Sequence, residues 1–326
     1  MYKYKERGRI EMNNFVYSLN ATIPVFAVIV VGYLLRRIKM LDEPFVTVAN
    51  KFNFRVTLPA MLFLDLAGTD FSQSFDLKYI GYCFFATLIS IFAIWGIAHV
   101  TLRDKTIVGE FVQASYRSSA AVLGMAFIVN ICGDSGMAPL MIIGAVPLYN
   151  IFAVLILTFE GNNNKEEGNA RLKKAVVEIL TNPILDSIAL GFLYSISGLP
   201  LPKMLYTTLN SLGKMATPLA LICIGAGFEG RKAIKMLKPA FAATALKLAV
   251  LPAVFLPVAA ALGFTGPKLV AAIIMLGSPT TPSSYIMAKN MGHEGVLTSS
   301  VIVLTTIFSA VTITIQIFIV RSLGLL

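Results

Sequence analysis

Two histidines and three cysteines in 326 residues leave little material for metal or disulfide chemistry. Cys83, Cys132 and Cys223 fall in or beside apolar stretches, and an odd number without paired spacing argues against a disulfide framework and against a zinc site. His99 and His293 each lie near an expected helix end. HExxH, Walker A and CxxC motifs are absent, so no metal, cofactor or nucleophile constellation is expected and the chain does not read as an enzyme. Charge is scarce as well: 13% of residues are charged against 56% hydrophobic. That balance excludes a soluble domain with one anchor and defines an all-α polytopic membrane protein. The net charge of +10 would suggest nucleic acid in a soluble chain. In a membrane protein the excess belongs to the cytoplasmic loops that fix topology, and no nucleic-acid partner is expected.

The most informative stretch is PKLVAAIIMLGSPTTPSSYIMAKNMG, Pro267 to Gly292. It is long and apolar enough to cross a bilayer, yet Pro279 and Pro282 each remove a backbone donor, at roughly 3 kcal/mol or more in a helix interior. Four hydroxyls, Ser278, Thr280, Thr281 and Ser283, crowd the same place. In hydrocarbon such a gap is tolerated only where protein or a water-filled cavity satisfies the freed groups. The stretch predicts an interrupted helix whose gap lines a polar site near the bilayer midplane, where the second half-helix presents N–H groups and a positive dipole end.

Hydropathy predicts ten spans, at 18–38, 44–67, 76–102, 106–131, 137–160, 175–197, 203–228, 236–262, 267–290 and 294–322. They divide into an N-terminal tail (1–17), a first five-helix repeat (18–160), a basic linker (161–174) and a second repeat (175–326). No cleavable signal peptide is expected at the start, and Met12 is an alternative initiator. Arg36, Arg37, Lys39, Arg103, Lys105, Lys165, Arg171, Lys173, Lys174, Arg231, Lys232, Lys235, Lys238 and Lys289 fall in alternate loops. The positive-inside rule places those loops and the central linker in the cytoplasm and both termini outside.

The two halves share an offset of 159 residues: Thr22, Pro24, Gly32 and Leu34 recur as Thr181, Pro183, Gly191 and Leu193, and Pro59, Leu62 and Gly68 recur as Pro218, Leu221 and Gly227. Arg55 recurs as Lys214, and Gly133 and Gly136 recur as Gly292 and Gly295. Five spans is an odd number, so the second copy enters the membrane inverted, and inverted repeats place a transport site at their interface. The offset aligns Ser118 to Gly124 of span 4 with the broken segment of span 9. Two crossed, interrupted helices, 4 and 9, are expected, although span 4 carries no proline there.

Cations inside spans cost roughly 2.5–3.5 kcal/mol at the helix centre on insertion scales. Arg117, beside Ser118 and Ser119, is the foremost functional candidate. Arg55, Lys214 and the acid Asp186 are secondary candidates, Asn53 is the asparagine expected to reach a pocket, and Lys247 reads as structural. Asp65 and Asp186 are proton-coupling candidates if buried. The set points to an anionic substrate held by Arg117, Ser118, Ser119, Ser278, Pro279, Thr280, Thr281, Pro282, Ser283 and Asn53. Two look-alike motifs carry no chemistry: Gly225, Gly227 and Gly230 spell G-x-G-x-x-G without a preceding strand, and Gly133, Asp134, Ser135 and Gly136 resemble a protease loop without triad partners.

NATIPVFAVIVVGYLLRR, NKFNFRVTLPAMLF, YRSSAAVLG, NPILDSIALGFLYSISGLPLP, ATPLALICIGAGF and SPTTPSSYIMAKNMG, in this order, resemble the auxin efflux carrier family in its bacterial branch. The resemblance covers essentially the whole chain. It implies spans 4 and 9 crossing at a central site, spans 1, 2, 6 and 7 as a scaffold, the other six as a moving unit, and a homodimer. Substrates implied are dicarboxylates such as malate or malonate, or an auxin-like acid. Ser119 departs from the asparagine usual in the family's span 4. The function expected is secondary transport of a small organic anion by an elevator-type movement in a bacterial inner membrane. Alternatives are a sodium- or proton-coupled symporter of the bile-acid-carrier type and a non-transporting receptor or sensor.

Overall fold

In the computed structural model, residues 23–68, 76–120, 127–128, 131, 137–160, 176–177 and 179–326 are described. The N-terminal tail with Met12, Cys132, the 133–136 protease-loop look-alike and the 161–174 linker lie outside those residues. Among the described residues the regular structure is entirely helical. The helices are α1 (23–37), α2 (Glu43–Phe52), α3 (Leu58–Ala67), α4 (Leu77–Thr101), α5 (Val108–Tyr116), α6 (Ala138–Phe159), α7 (Pro183–Ser197), α8 (Lys203–Lys214), α9 (Ala216–Ala226), α10 (Gly230–Lys235), α11 (Leu237–Ala245), α12 (Leu251–Ala261), α13 (Pro267–Gly277), α14 (Ser283–Asn290) and α15 (Val296–Ser322). Five are long and apolar enough to cross a bilayer: α4, α6, α8 running into α9, α11 running into α12, and α15. At 1.5 Å per residue, a 25-residue helix such as α4 spans a hydrocarbon core of about 30 Å.

Polar side chains mark several helix starts. Asp42 accepts from Phe45 N–H at the head of α2, Asp76 from Tyr79 N–H at the head of α4, and Asn182 from Ile184 N–H at the head of α7, each satisfying a donor that the helix cannot. Lys268 at the start of α13 hydrogen-bonds the Asp76 carboxylate and holds it below the usual carboxylate range. This latch between α4 and α13 is therefore retained above the ordinary aspartate pKa and lost as pH falls through the lowered one.

Two π-helical turns, Asn53–Thr57 and Leu246–Val250, join α2 to α3 and α11 to α12. Each is followed two residues later by a proline, Pro59 or Pro252, that cannot donate to the carbonyl four residues back. The wider turn absorbs the clash. The carbonyl that Pro252 leaves without its helical donor, Leu248 C=O, accepts instead from Gln316 Nε2 at 2.8 Å.

Close packing rests on glycine. A Cβ on Gly225 of α9 would lie 1.9 Å from Ile29 O of α1, and one on Gly32 of α1 would lie 2.4 Å from Ile222 O of α9. On the other pair, a Cβ on Gly191 of α7 would meet Phe63 O of α3 at 2.8 Å. These helices touch backbone to backbone, as small residues allow in membranes. The glycines of the G-x-G-x-x-G look-alike thus have a packing role: Gly225 seats α1, and Gly227 lies against the Tyr285 hydroxyl.

The buried apolar residues form two clusters. One gathers α4, α5, α6, α11, α12, α13 and α15, around residues such as Ile91, Val112, Met141, Ile273 and Ile313. The other gathers α1, α2, α3, α7 and α9 around Leu58, Ile184 and Ala220, together with Tyr285 to Ala288 of α14, Ala153, Val154 and Leu157 of α6 and Ile302 of α15. Gly225→Ala is expected to destabilise by about 1–3 kcal/mol or more through overpacking. Gly96→Ala in α4, where nothing lies within 4 Å of the added Cβ, should be neutral or stabilising. Thermal unfolding of both variants in detergent checks the contrast.

Candidate functional site

The chain between α13 and α14 is not helical: residues 278–282 form an irregular segment containing both prolines. Span 4 breaks too, without a proline. The first half, α5, ends at Tyr116, and Arg117 (φ −70°, ψ 130°) is extended. The two interruptions meet, and Ser119 N–H donates to Pro279 C=O at 2.9 Å, as in one rung of a sheet. The second half of span 4 lies largely outside the described residues.

Each half-helix ends with carbonyls that lack intrahelical donors, and the other break supplies partners. Thr280 Oγ1 donates to Ala114 C=O of α5 at 2.7 Å, while its backbone N–H donates to Thr305 Oγ1 of α15 at 3.1 Å. Ser118 Oγ and, at 3.2 Å, Tyr149 Oη both donate to Met275 C=O of α13. Lys247, fully buried on the second π turn, donates to Tyr116 C=O at 3.2 Å, Leu276 C=O at 2.9 Å and the Ser118 hydroxyl. A neighbouring device holds α15: Gly295 N–H and Thr298 N–H donate to the Glu110 carboxylate of α5 at 2.7 and 2.9 Å, placing negative charge at a helix N-terminus.

Arg117 is 1% exposed. Its Nη1 donates to Met287 Sδ at 2.8 Å and Gln113 Oε1 at 3.4 Å, and its Nη2 to Asn150 Oδ1 at 2.8 Å and Ser283 Oγ at 3.0 Å. Hydrogen bonds to a charged group contribute about 1.5–3 kcal/mol each, enough together to offset the insertion cost of the cation. Its Nε–H is buried without a partner. None of the ion pairs among the described residues involves Arg117 or Lys247.

Arg117 lines a cavity of about 40 Å³ with Ser118, Ser119, Thr281, Ser283, Asn150 and Asp65. At roughly 10–15 Å³ per water on this measure, it holds a few waters. The predicted residues therefore divide. Arg117, Ser118, Ser119, Thr281 and Ser283 face one cavity. Ser278, Pro279, Thr280 and Pro282 belong to the break itself, and the buried Ser278 hydroxyl has no partner. Asn53 is fully buried elsewhere: its amide donates to Ala216 C=O at 2.9 Å and accepts from Thr57 Oγ1, bracing α8 and α9 against the first π turn. Arg55, Lys214 and Asp186 are exposed on the protein's outer faces and are not brought to Arg117. Asp186, expected to be the deep acid, sits in the first turn of α7, where the helix dipole favours it.

The structural reading of Lys247 agrees with its bonds to the two breaks, while Glu110 and Tyr149 are not singled out by the sequence. The mid-span position of Lys247 was the available signal. Glu110, an acid two residues into an apolar helix, was another.

Broken helices meeting around a buried cation, in a chain with several membrane-spanning helices, define a polytopic membrane protein built as transporters are. Residues 17–317 match the family described as membrane transport protein. A relative described as an uncharacterized transporter, from Methanothermobacter thermautotrophicus, is 24% identical over 304 residues, covering 92% of this chain and 97% of its own length. The chain belongs to this membrane transport family, the auxin efflux carrier family that its motifs resemble. It is a family of transporters, in general not enzymes.

Thr280→Val should cost about 1–3 kcal/mol, because it strands the Ala114 carbonyl. Thr281→Val, whose hydroxyl meets only the Ser283 hydroxyl, should cost under about 1 kcal/mol. Thermal unfolding in detergent separates the two, and equal losses would refute the division between break and cavity.

Proposed function

We propose that the chain is a secondary carrier of a small organic anion, in the first instance a carboxylate such as malate, malonate or an auxin-like acid. The observation that carries this reading is Arg117: a buried cation between two half-helix breaks, hydrogen-bonded to neutral groups and with one N–H unused. A carboxylate there would accept from Arg117 Nε and from the Ser119, Thr281 and Ser283 hydroxyls. It would also lie near the N-terminus of α14, whose dipole favours an anion.

The arrangement we propose is ten spans in two inverted five-helix repeats, residues 18–160 and 175–326, joined by the cytoplasmic 161–174 linker, with both termini outside. Helix boundaries support it. The starts of α8, α9, α11, α13 and α15, shifted by 159 residues, fall within one residue of those of α2, α3, α4, α5 and α6. The glycine contacts support it too, since Gly32 against Ile222 and Gly191 against Phe63 are one contact related by the same shift.

An elevator-type movement would take α1, α2, α3, α7, α8 and α9 as a scaffold in a homodimer, with α6, α14 and α15 meeting it through Ala153, Val154, Leu157, Tyr285 to Ala288 and Ile302. A cavity too small for a dicarboxylate fits a closed state that must open along the seam between the clusters. A second, polar cavity of about 310 Å³ lies where α14 meets α1 and α2, lined by Arg36, Glu43 and Asn50 on one side and Tyr285, Lys289 and Asn290 on the other. It fits an aqueous approach from the basic-loop side.

Asp65 also lines the Arg117 cavity, and this favours a second reading in which an acid couples a proton or cation to the anion. In proteoliposomes, labelled malate, malonate or indole acetate should accumulate. Arg117→Ala and the Pro279→Ala/Pro282→Ala double variant should each lose about tenfold or more in uptake, equivalent to about 1.4 kcal/mol. Unchanged uptake in both would sink the site, and binding without flux would select the receptor reading. A pH dependence abolished by Asp65→Asn would select proton coupling.

A further inference from the structure

Lys247 is a fully buried lysine whose three N–H groups have three partners, all neutral oxygens: Tyr116 C=O, Leu276 C=O and the Ser118 hydroxyl. The placement of those oxygens is specific. Tyr116 is the last residue of α5, and Leu276 is the penultimate residue of α13. The negative ends of two half-helix dipoles therefore converge on one point, and Ser118, from the first break, closes the set. Half-helix C-termini and unwound carbonyls are the groups with which broken-helix carriers hold a sodium ion, and small hard cations take oxygen ligands. Here an ammonium on a four-carbon stem stands in that position. The π turn Leu246–Val250 widens the helix at the residue that carries it.

We infer that Lys247 is a tethered cation filling an oxygen nest that would otherwise hold a free monovalent cation, and that it makes the anion cycle independent of sodium. The inference rests on the carrier reading for its meaning in transport. The nest itself is tested with cations alone, so that the two fail separately. Lys247 is a positioning residue in this view: it joins both breaks permanently, where a dissociable ion would join them only when bound.

The test uses the purified full chain in detergent, with thermal unfolding followed in sodium, lithium, potassium or choline chloride at matched ionic strength. Wild type should unfold at the same temperature in all four. Lys247→Ala should unfold at lower temperature in choline, and sodium or lithium should selectively restore part of the loss, on the order of 2–4 °C. Lys247→Met keeps the bulk without the charge. It should be destabilised and not restored, because the side chain still occupies the nest. A Lys247→Ala protein that responds alike to sodium and choline overturns the inference, as does restoration of Lys247→Met. Selective stabilisation of wild type by sodium also overturns it, and that measurement decides even if neither variant folds.

Discussion

Backbone that leaves its helix inside a bilayer must find partners within the protein, and this one requirement organises the centre of the molecule. Two helices stop where they meet, and each answers the other's unsatisfied groups. Thr280 of the second break takes Ala114 C=O of the first half-helix, and Ser118 of the first break takes Met275 C=O of the second. Ser119 N–H and Pro279 C=O join the extended stretches directly. Lys247 takes one terminal carbonyl from each side. Neither break would survive alone, because each carbonyl left in hydrocarbon costs several kcal/mol. Together they form a closed set of hydrogen bonds. That reciprocity explains how span 4 breaks without a proline: the partner break supplies the donors that make an early stop at Tyr116 tolerable.

The same requirement explains the irregularities elsewhere. Prolines in α12 and at the head of α3 would strand carbonyls, so the chain widens into π turns ahead of Pro59 and Pro252. Side chains such as Gln316 and Asn53 then serve the backbone. Asparagine and glutamine inside these spans act as fixed struts. Glycine has a complementary part, because bringing α1 onto α9 and α7 onto α3 needs backbones close enough that a methyl group would collide. The structure is thus held by many small polar bonds at a few depths and by dry contact elsewhere, as expected where lipid removes the hydrophobic contrast between helices.

How much of this could be read from the residues differs by kind. Five of the spans were legible as helices of bilayer length, Leu77–Thr101, Ala138–Phe159, Lys203–Ala226, Leu237–Ala261 and Val296–Ser322, because uncharged apolar runs of that length match the thickness of a hydrocarbon core and exceed what a soluble core helix needs. The gap at 278–282 was legible from two prolines among hydroxyls. The companion gap was reached only through the 159-residue offset, since Arg117, Ser118 and Ser119 carry no local signal that stops a helix. The place of a polar residue along its apolar segment was legible, but which way it faces was not. Arg55, Lys214 and Asp186 share a mid-span or near-span position with Arg117 and Lys247, yet the former three lie on exposed faces and the latter two are fully enclosed. Rotation about a helix axis is set by packing against neighbours, and a single hydropathy trace does not contain it.

The contrast between the two enclosed cations gives the site its asymmetry. Lys247 has as many acceptors as donors, so its charge is fully committed to holding the breaks together. Arg117 has five N–H groups in a rigid fork; four bonds hold it in place from α5, α6 and α14, and Nε remains. A guanidinium fixed by its neighbours loses little further freedom when a carboxylate arrives, which makes binding there depend on the space beside it. That space is now a cavity for a few waters, bounded on one side by Met61, Leu62 and Asp65 of α3 and on the other by the breaks. On the carrier reading proposed above, a solute larger than those waters would separate α3 from the breaks to reach the arginine. Binding and the separation of α3 from the crossing would, on that reading, be one event, with the interface between them setting the free energy of both.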